Sequence, residues 1–215
     1  MRIVLVAVAA VVLSGCASFS GDADPASDAP ETRTRGGVLL KPAASYDEVL
    51  TSWQGAADVN AWIGARFEYD LARAVRLSET QREKNGRMPI LTPAEFFVAP
   101  SGVCVDLARF AVETLRVVDP GATPAYVMIE FDPVAIAGNT LRRHWVVSFR
   151  KDGKHYFFAD SKRPGHIAGP YESTQEFITE YARYRGRQIV SFREVESYER
   201  KARTLAAKRT GDERP

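Results

Sequence analysis

The chain has 215 residues, a little more than one ordinary domain of roughly 100–200, which leaves room for one core with tails and excludes two full catalytic domains. Its 45% hydrophobic, 26% charged and 10% aromatic residues exclude a wholly disordered chain, and no apolar run reaches the about 20 residues that an internal membrane span needs. With 29 Lys+Arg against 27 Asp+Glu the net charge is +2, which gives no electrostatic reason to expect nucleic acid as a partner.

After Met1-Arg2 the chain runs through eleven apolar residues, Ile3 to Leu13, a length that fits a secretory signal and not a spanning helix. It closes on Leu13-Ser14-Gly15-Cys16, which resembles the lipobox of bacterial lipoproteins. That resemblance implies removal of residues 1–15, lipidation of Cys16 and attachment to a membrane face in the periplasm. Ala17, where an aspartate is absent, resembles the sorting pattern of such lipoproteins for the outer membrane, which implies that membrane over the inner one. Residues 16–45 are rich in Ala, Ser, Asp, Pro, Gly and Thr and read as a flexible tether, too poor in large apolar groups to offset the entropy of ordering. The folded domain is expected over residues 46–196, with a charged tail, 197–215, whose start could extend a helix.

Within the domain, Ala56 to Ile63 reads as a helix leading to Phe67-Glu68-Tyr69. Thr92-Pro93-Ala94-Glu95 has the form of a capping box with proline at the first helical position, which places Phe96 and Phe97 in the core. A further helix opens after Pro100, with Ser101 as its expected N-cap and Leu107, Ala108, Ala111 and Leu115 as its apolar face. Cys104 falls in its first turn. Free backbone N–H groups and the helix dipole there favour a thiolate by typically about 0.3–1 kcal/mol and could receive an oxyanion. With Cys16 consumed by lipid, Cys104 is the one remaining thiol: an inert core residue, an intermolecular crosslink or a nucleophile.

A nucleophilic thiol needs a base and an orienting group. His144-Trp145-Val146-Val147-Ser148-Phe149 and His155-Tyr156-Phe157-Phe158-Ala159-Asp160 read as two strands joined at Lys151-Asp152-Gly153-Lys154. A two-residue Asp152-Gly153 turn would set His144 opposite Ser161 and turn Asp160 to the other face. A three-residue loop would pair Arg150 with Lys154 and set His144 opposite Asp160, with Cβ atoms about 4.5–5.5 Å apart. The three-residue loop is the expectation, because it makes Cys104, His144 and Asp160 one set. His155 then alternates to the other face as a surface or packing residue, and His166 lies on a loop where it could line a cleft. A metal site at Cys104, His144 and Asp160 is the less favoured reading, since no close-spaced ligand pair accompanies them.

These residues resemble the transglutaminase-like superfamily. The resemblance rests on Ala56 to Tyr69, then Gly102-Val103-Cys104-Val105-Asp106, Pro124 to Val127, His144-Trp145 and Asp160, and covers about residues 56–170. It implies an α+β, papain-like fold, with helices carrying the nucleophile packed on an antiparallel sheet. Cys104 would be the nucleophile, His144 the base and acid, and Asp160 its orienter. The implied reaction is acyl transfer through a thioester, with no cofactor, on an envelope protein or peptide: a cysteine peptidase or amidase if water accepts the acyl group, a transglutaminase if an amine does. The alternative is a binding or assembly lipoprotein that uses the same cleft without catalysis. Related adhesin-cutting proteases carry calcium-binding acidic residues beside the nucleophile; Val103 and Val105 occupy those places here, and only Asp106 remains. Arylamine acyltransferases share the residue order but need a cytosolic acyl-CoA donor. Arg142, Arg143, Lys162 and Arg163 flank the proposed base and orienter, where they would favour the thiolate or an acidic substrate, or merely solvate strand ends. Gln54 and Tyr69 are candidates for a second oxyanion donor, and Trp53, Trp62 and Trp145 for core or acyl-site walls.

Overall fold

The computed structural model describes residues 39–80, 88–136 and 139–199. The expected signal, Cys16, most of the tether and the tail past residue 199 lie outside those residues. Helices α1 (Tyr46–Ser52) and α2 (Ala56–Arg66) open the domain. Strand β1 (Glu68–Tyr69), α3 (Leu71–Thr80), α4 (Pro93–Val98), β2 (Ser101–Gly102) and α5 (Cys104–Val118) follow. Next come β3 (Ala125–Ile136), β4 (Asn139–Lys151), β5 (Lys154–Phe158), β6 (Ala168–Tyr171), α6 (Thr174–Arg185) and β7 (Ile189–Val195). The last five strands form one antiparallel sheet in the order β6-β5-β4-β3-β7. The architecture is α+β.

Local chemistry sets the helix starts. At α4 the Thr92 hydroxyl accepts from the Glu95 N–H at 3.3 Å while the Glu95 carboxylate accepts from the Thr92 N–H at 2.7 Å, the reciprocal box read from the sequence. The expectation for Ser101 is corrected: Ser101 lies in β2, paired with Glu68, and the N-cap of α5 is Val103. Valine has no side-chain acceptor, so the cap is made from the other end, with Asp106 accepting from the Val103 N–H at 3.0 Å. The short parallel pairing of β1 with β2 consumes the residues that would otherwise have begun the helix and fixes where Cys104 enters it.

Alternation along the strands separates two cores. Tyr126, Val147, Phe149 and Phe158 face α1, α2, α4 and α5, where Trp53, Trp62, Phe96, Phe110 and the expected Leu107, Ala108, Ala111 and Leu115 are buried. Trp62 stacks on half-buried Phe97 at 5.2 Å and lies 4.7 Å from Phe110. Each such side chain is worth about 1.5–3 kcal/mol of burial. On the other face, Val127, Ile129, Phe131, Val146 and Phe157 meet Phe177, Ile178 and Tyr181 of α6. Tyr198, expected in the tail, packs back on Tyr126 at 5.8 Å, with the Arg109 guanidinium 5.3 Å above its ring.

The hairpin overturns the expected register. Lys151 pairs with Lys154 and Arg150 with His155, so the turn has two residues, Asp152 (φ 51°) and Gly153 (φ 74°). Both are left-handed, as a type I′ turn requires, and Asp-Gly is among the sequences best suited to it. Strand β5 then ends at Phe158, two residues before Asp160.

Candidate active site

In a regular ladder this two-residue turn would send the Asp160 side chain away from His144. Ala159, with φ 56°, breaks the ladder instead. That single left-handed residue re-aims the chain, and Asp160 Oδ1 comes to 2.9 Å from His144 Nε2. The two residues meet, by a route different from the expected three-residue loop.

The carboxylate is held on all sides. Oδ1 also accepts from the Lys162 N–H at 3.0 Å, and Oδ2 accepts from the Tyr181 hydroxyl at 3.0 Å. Tyr181 in turn accepts from Arg185 Nη1 at 3.3 Å, one turn further along α6. The Tyr181 ring stacks on the His144 imidazole with centroids 6.1 Å apart and planes 13° from parallel. Burial alone would raise the Asp160 carboxyl, but the hydrogen bond and charge of His144, together with Arg185 and the Lys162 N–H, outweigh it and hold the group at about 2. Asp160 is thus held as a carboxylate against His144 Nε2.

Cys104 is the first residue of α5, 8% exposed. Helix α5 packs against β4, and Trp145 touches the cluster containing Val103 and Val105, the two neighbours of Cys104. His144, one residue earlier on the strand, turns toward α6 and has no exposed surface. The geometry therefore brings His144 and Asp160 into direct contact on the α6 face of β4, while α5, which carries Cys104, packs on the opposite face of that strand.

Of the remaining candidates, Tyr69 pairs with Gly102 in the β1-β2 ladder and packs beside Val103 and Val105, whereas Gln54 is exposed at the α1–α2 junction, its N–H given to Asp58. Trp53 and Trp62 are core and Trp145 is half-buried. Arg143 pairs with Glu130 at 3.0 Å, Lys162 is buried, and the Arg163 guanidinium lies 4.1 Å over the Tyr184 ring. The Arg142 side chain lies outside the described residues. His155 packs, 3.5 Å from the Thr174 hydroxyl and parallel to Phe157. His166 is half-buried and lines a polar cavity of about 320 Å³ with Arg163, Tyr171 and Glu180; burial, then Arg163, lower its basicity.

Sequence reasoning missed Tyr181, Arg185, Arg73 and Asn60. Asn60, buried on α2, donates to the Gly165 carbonyl at 2.9 Å and anchors the loop that follows Asp160. Arg73 forms a bidentate pair with Asp106, at 2.7 and 2.8 Å. The one available signal was negative: Arg185 and Asn60 are polar residues at positions where the helical period predicts burial.

Asp106 does not fit a calcium ligand. Its two oxygens already accept from Arg73 twice, from the Leu91 N–H at 2.9 Å and from the Val103 N–H at 3.0 Å, while Ca²⁺ takes six to eight oxygens and Val103 and Val105 supply no side-chain oxygen.

A family profile described as a transglutaminase-like domain matches residues 47–189. Among solved structures the chain is similar to calcium-bound Legionella pneumophila LapG, at 17% identity and a TM-score of 0.38, over 74% of this chain and 80% of that one. No curated protein matches it.

Proposed function

The chain belongs to the transglutaminase-like domain family, whose profile spans well over half of it, and from that membership we propose that it is a thiol hydrolase, a cysteine peptidase or amidase, acting through Cys104, His144 and Asp160. The observation that carries the reading is the buried 2.9 Å pairing of His144 Nε2 with an aspartate whose charge Arg185 and the Lys162 N–H also favour. With Nε2 committed to Asp160, Nδ1 is the ring nitrogen left to take the Cys104 proton, and the reading requires a movement that brings the thiol and the imidazole together from the two faces of β4. The thiolate then attacks an acyl carbon and a thioester forms. The imidazolium passes its proton to the departing amine, and water, deprotonated by the same nitrogen, releases the acid and restores the thiol. The N–H groups opening α5 are available to the oxyanion, and Tyr69 is the better placed of the two candidate second donors.

The lipobox resemblance supports a lipid anchor at Cys16 and action in the periplasm, on the outer-membrane side, with an envelope protein or peptide as substrate. The slight exposure of Cys104 and the absence of any for His144 favour a second reading, a recognition or assembly protein that retains the constellation without turnover. Alkylation of Cys104 by iodoacetamide at neutral pH separates the two. An enzyme shows fast stoichiometric modification that His144→Ala suppresses by roughly a hundredfold or more, the scale of general-base contributions. A slow reaction indifferent to His144 rejects the hydrolase.

A further inference from the structure

The first turn of α5 holds two acidic groups in this proposed mechanism, the thiol of Cys104 and the carboxylate of Asp106, only two residues apart. Asp106 is fully buried. A second anion in the same turn competes for the positive end of the helix dipole and opposes a thiolate, unless its charge is cancelled at the same place. Arg73 cancels it. Its Nε meets Asp106 Oδ2 at 2.7 Å and its Nη2 meets Oδ1 at 2.8 Å, the fork-to-fork geometry in which a guanidinium and a carboxylate share two parallel hydrogen bonds. The rest of the guanidinium is also engaged: Nη2 donates to the Pro89 carbonyl at 2.6 Å and Nη1 to the Met88 sulfur at 3.2 Å. Asp106 itself accepts from the N–H of Leu91, just before α4, and of Val103, the cap of the nucleophile's helix.

One ion pair therefore fastens α3, the Met88–Leu91 stretch and the start of α5 together. Gly102, next to the cap, leaves the space for it: a Cβ there would lie 3.0 Å from Asp106 Oδ2 and 3.0 Å from Phe96.

We propose that Arg73 is the positioning residue of the nucleophile, a cation built into the chain that neutralises Asp106 and sets the register of the Cys104 helix turn, so that no metal ion is needed there. This deepens the hydrolase reading and rests on it for its catalytic meaning, but its structural half is separable. A planar, always charged fork is required, so lysine is an incomplete substitute.

The test uses the full chain and two variants, Arg73→Ala and Arg73→Lys, with two readouts: the rate of Cys104 alkylation and the melting temperature. Arg73→Ala is expected to slow alkylation by roughly tenfold or more, the scale of a misplaced reacting group, with Arg73→Lys between it and the parent. Millimolar guanidinium chloride is expected to restore much of the rate and to raise the melting temperature of Arg73→Ala while leaving the parent unchanged. Calcium or a chelator should alter neither readout in the parent. If Arg73→Ala does not fold without guanidinium, recovery of its melting transition on adding it is the supporting result. A folded Arg73→Ala that alkylates within about twofold of the parent overturns the proposal, as does a failure of guanidinium to raise either readout. If parent Cys104 proves slow and indifferent to His144, the hydrolase reading falls while the melting-temperature rescue still decides the role of Arg73.

Discussion

Replacing Asp160 by asparagine keeps the shape of the orienter and removes its charge. The amide oxygen can still accept from His144 Nε2 and the Lys162 N–H, and the Tyr181 oxygen, which already accepts from Arg185, can take the new amide N–H. The difference between parent and variant is therefore mostly electrostatic. In the parent the carboxyl sits at about 2 against an ordinary 3.8, so its favourable contacts outweigh burial by about 2 kcal/mol. His144 supplies the largest of those contacts. Losing the charge that stabilises the imidazolium should slow Cys104 alkylation at neutral pH by about tenfold or more. The same shift fixes a stability signature. Because the folded carboxyl is depressed, its contribution is fully present above the unfolded value near 3.8 and is lost as pH falls through about 2. Chemical denaturation should show the parent losing roughly 2 kcal/mol across that window, with Asp160→Asn losing correspondingly less. A folded Asp160→Asn that alkylates within twofold of the parent would refute the orienting role.

Four further outcomes are expected. Tyr181→Phe removes a hydroxyl hydrogen bond to a buried carboxylate and should cost about 1.5–3 kcal/mol in urea unfolding; a change under about 0.5 kcal/mol would show that Tyr181 does not hold Asp160. Gly102→Ala forces a methyl to 3.0 Å from Asp106 and Phe96 and should destabilise by about 1–3 kcal/mol, with a neutral melting temperature counting against the tight approach. Mass spectrometry of the mature N-terminus should find Cys16 lipidated in a globomycin-sensitive way, and an unmodified Cys16 would remove the anchor. Cys104→Ala should retain envelope substrates that the parent releases; identical recovery by both forms would argue against acylation.

Much of the architecture was written locally. The Thr92–Glu95 box needs only four consecutive residues, and the apolar face of α5 needs only its own period, so both are readable without tertiary information. The His144–Asp160 contact was legible as a pair but not as a geometry. Counting along a ladder assumes regular strand to its last residue, and nothing marks Ala159 as left-handed, since alanine carries the Cβ penalty that usually excludes it there. The preference of Asp152-Gly153 for a two-residue turn was the stronger local signal, and the structure follows it. Arg73 with Asp106 and Tyr181 with Asp160 lie 33 and 21 residues apart, and only the packing of α3 and α6 brings them into register. Ser101 failed as a cap because a strand pairing with Glu68, remote in sequence, claimed it first.

The clasp on Asp160 makes one helix answerable for a distant pair. Tyr181 and Arg185 sit on the last two turns of α6, on the sheet face to which His144 turns. Any opening of α6 therefore strips the outer donors from Asp160 before it disturbs the 2.9 Å His144 contact itself, so the charge state of the pair is coupled to the docking of α6.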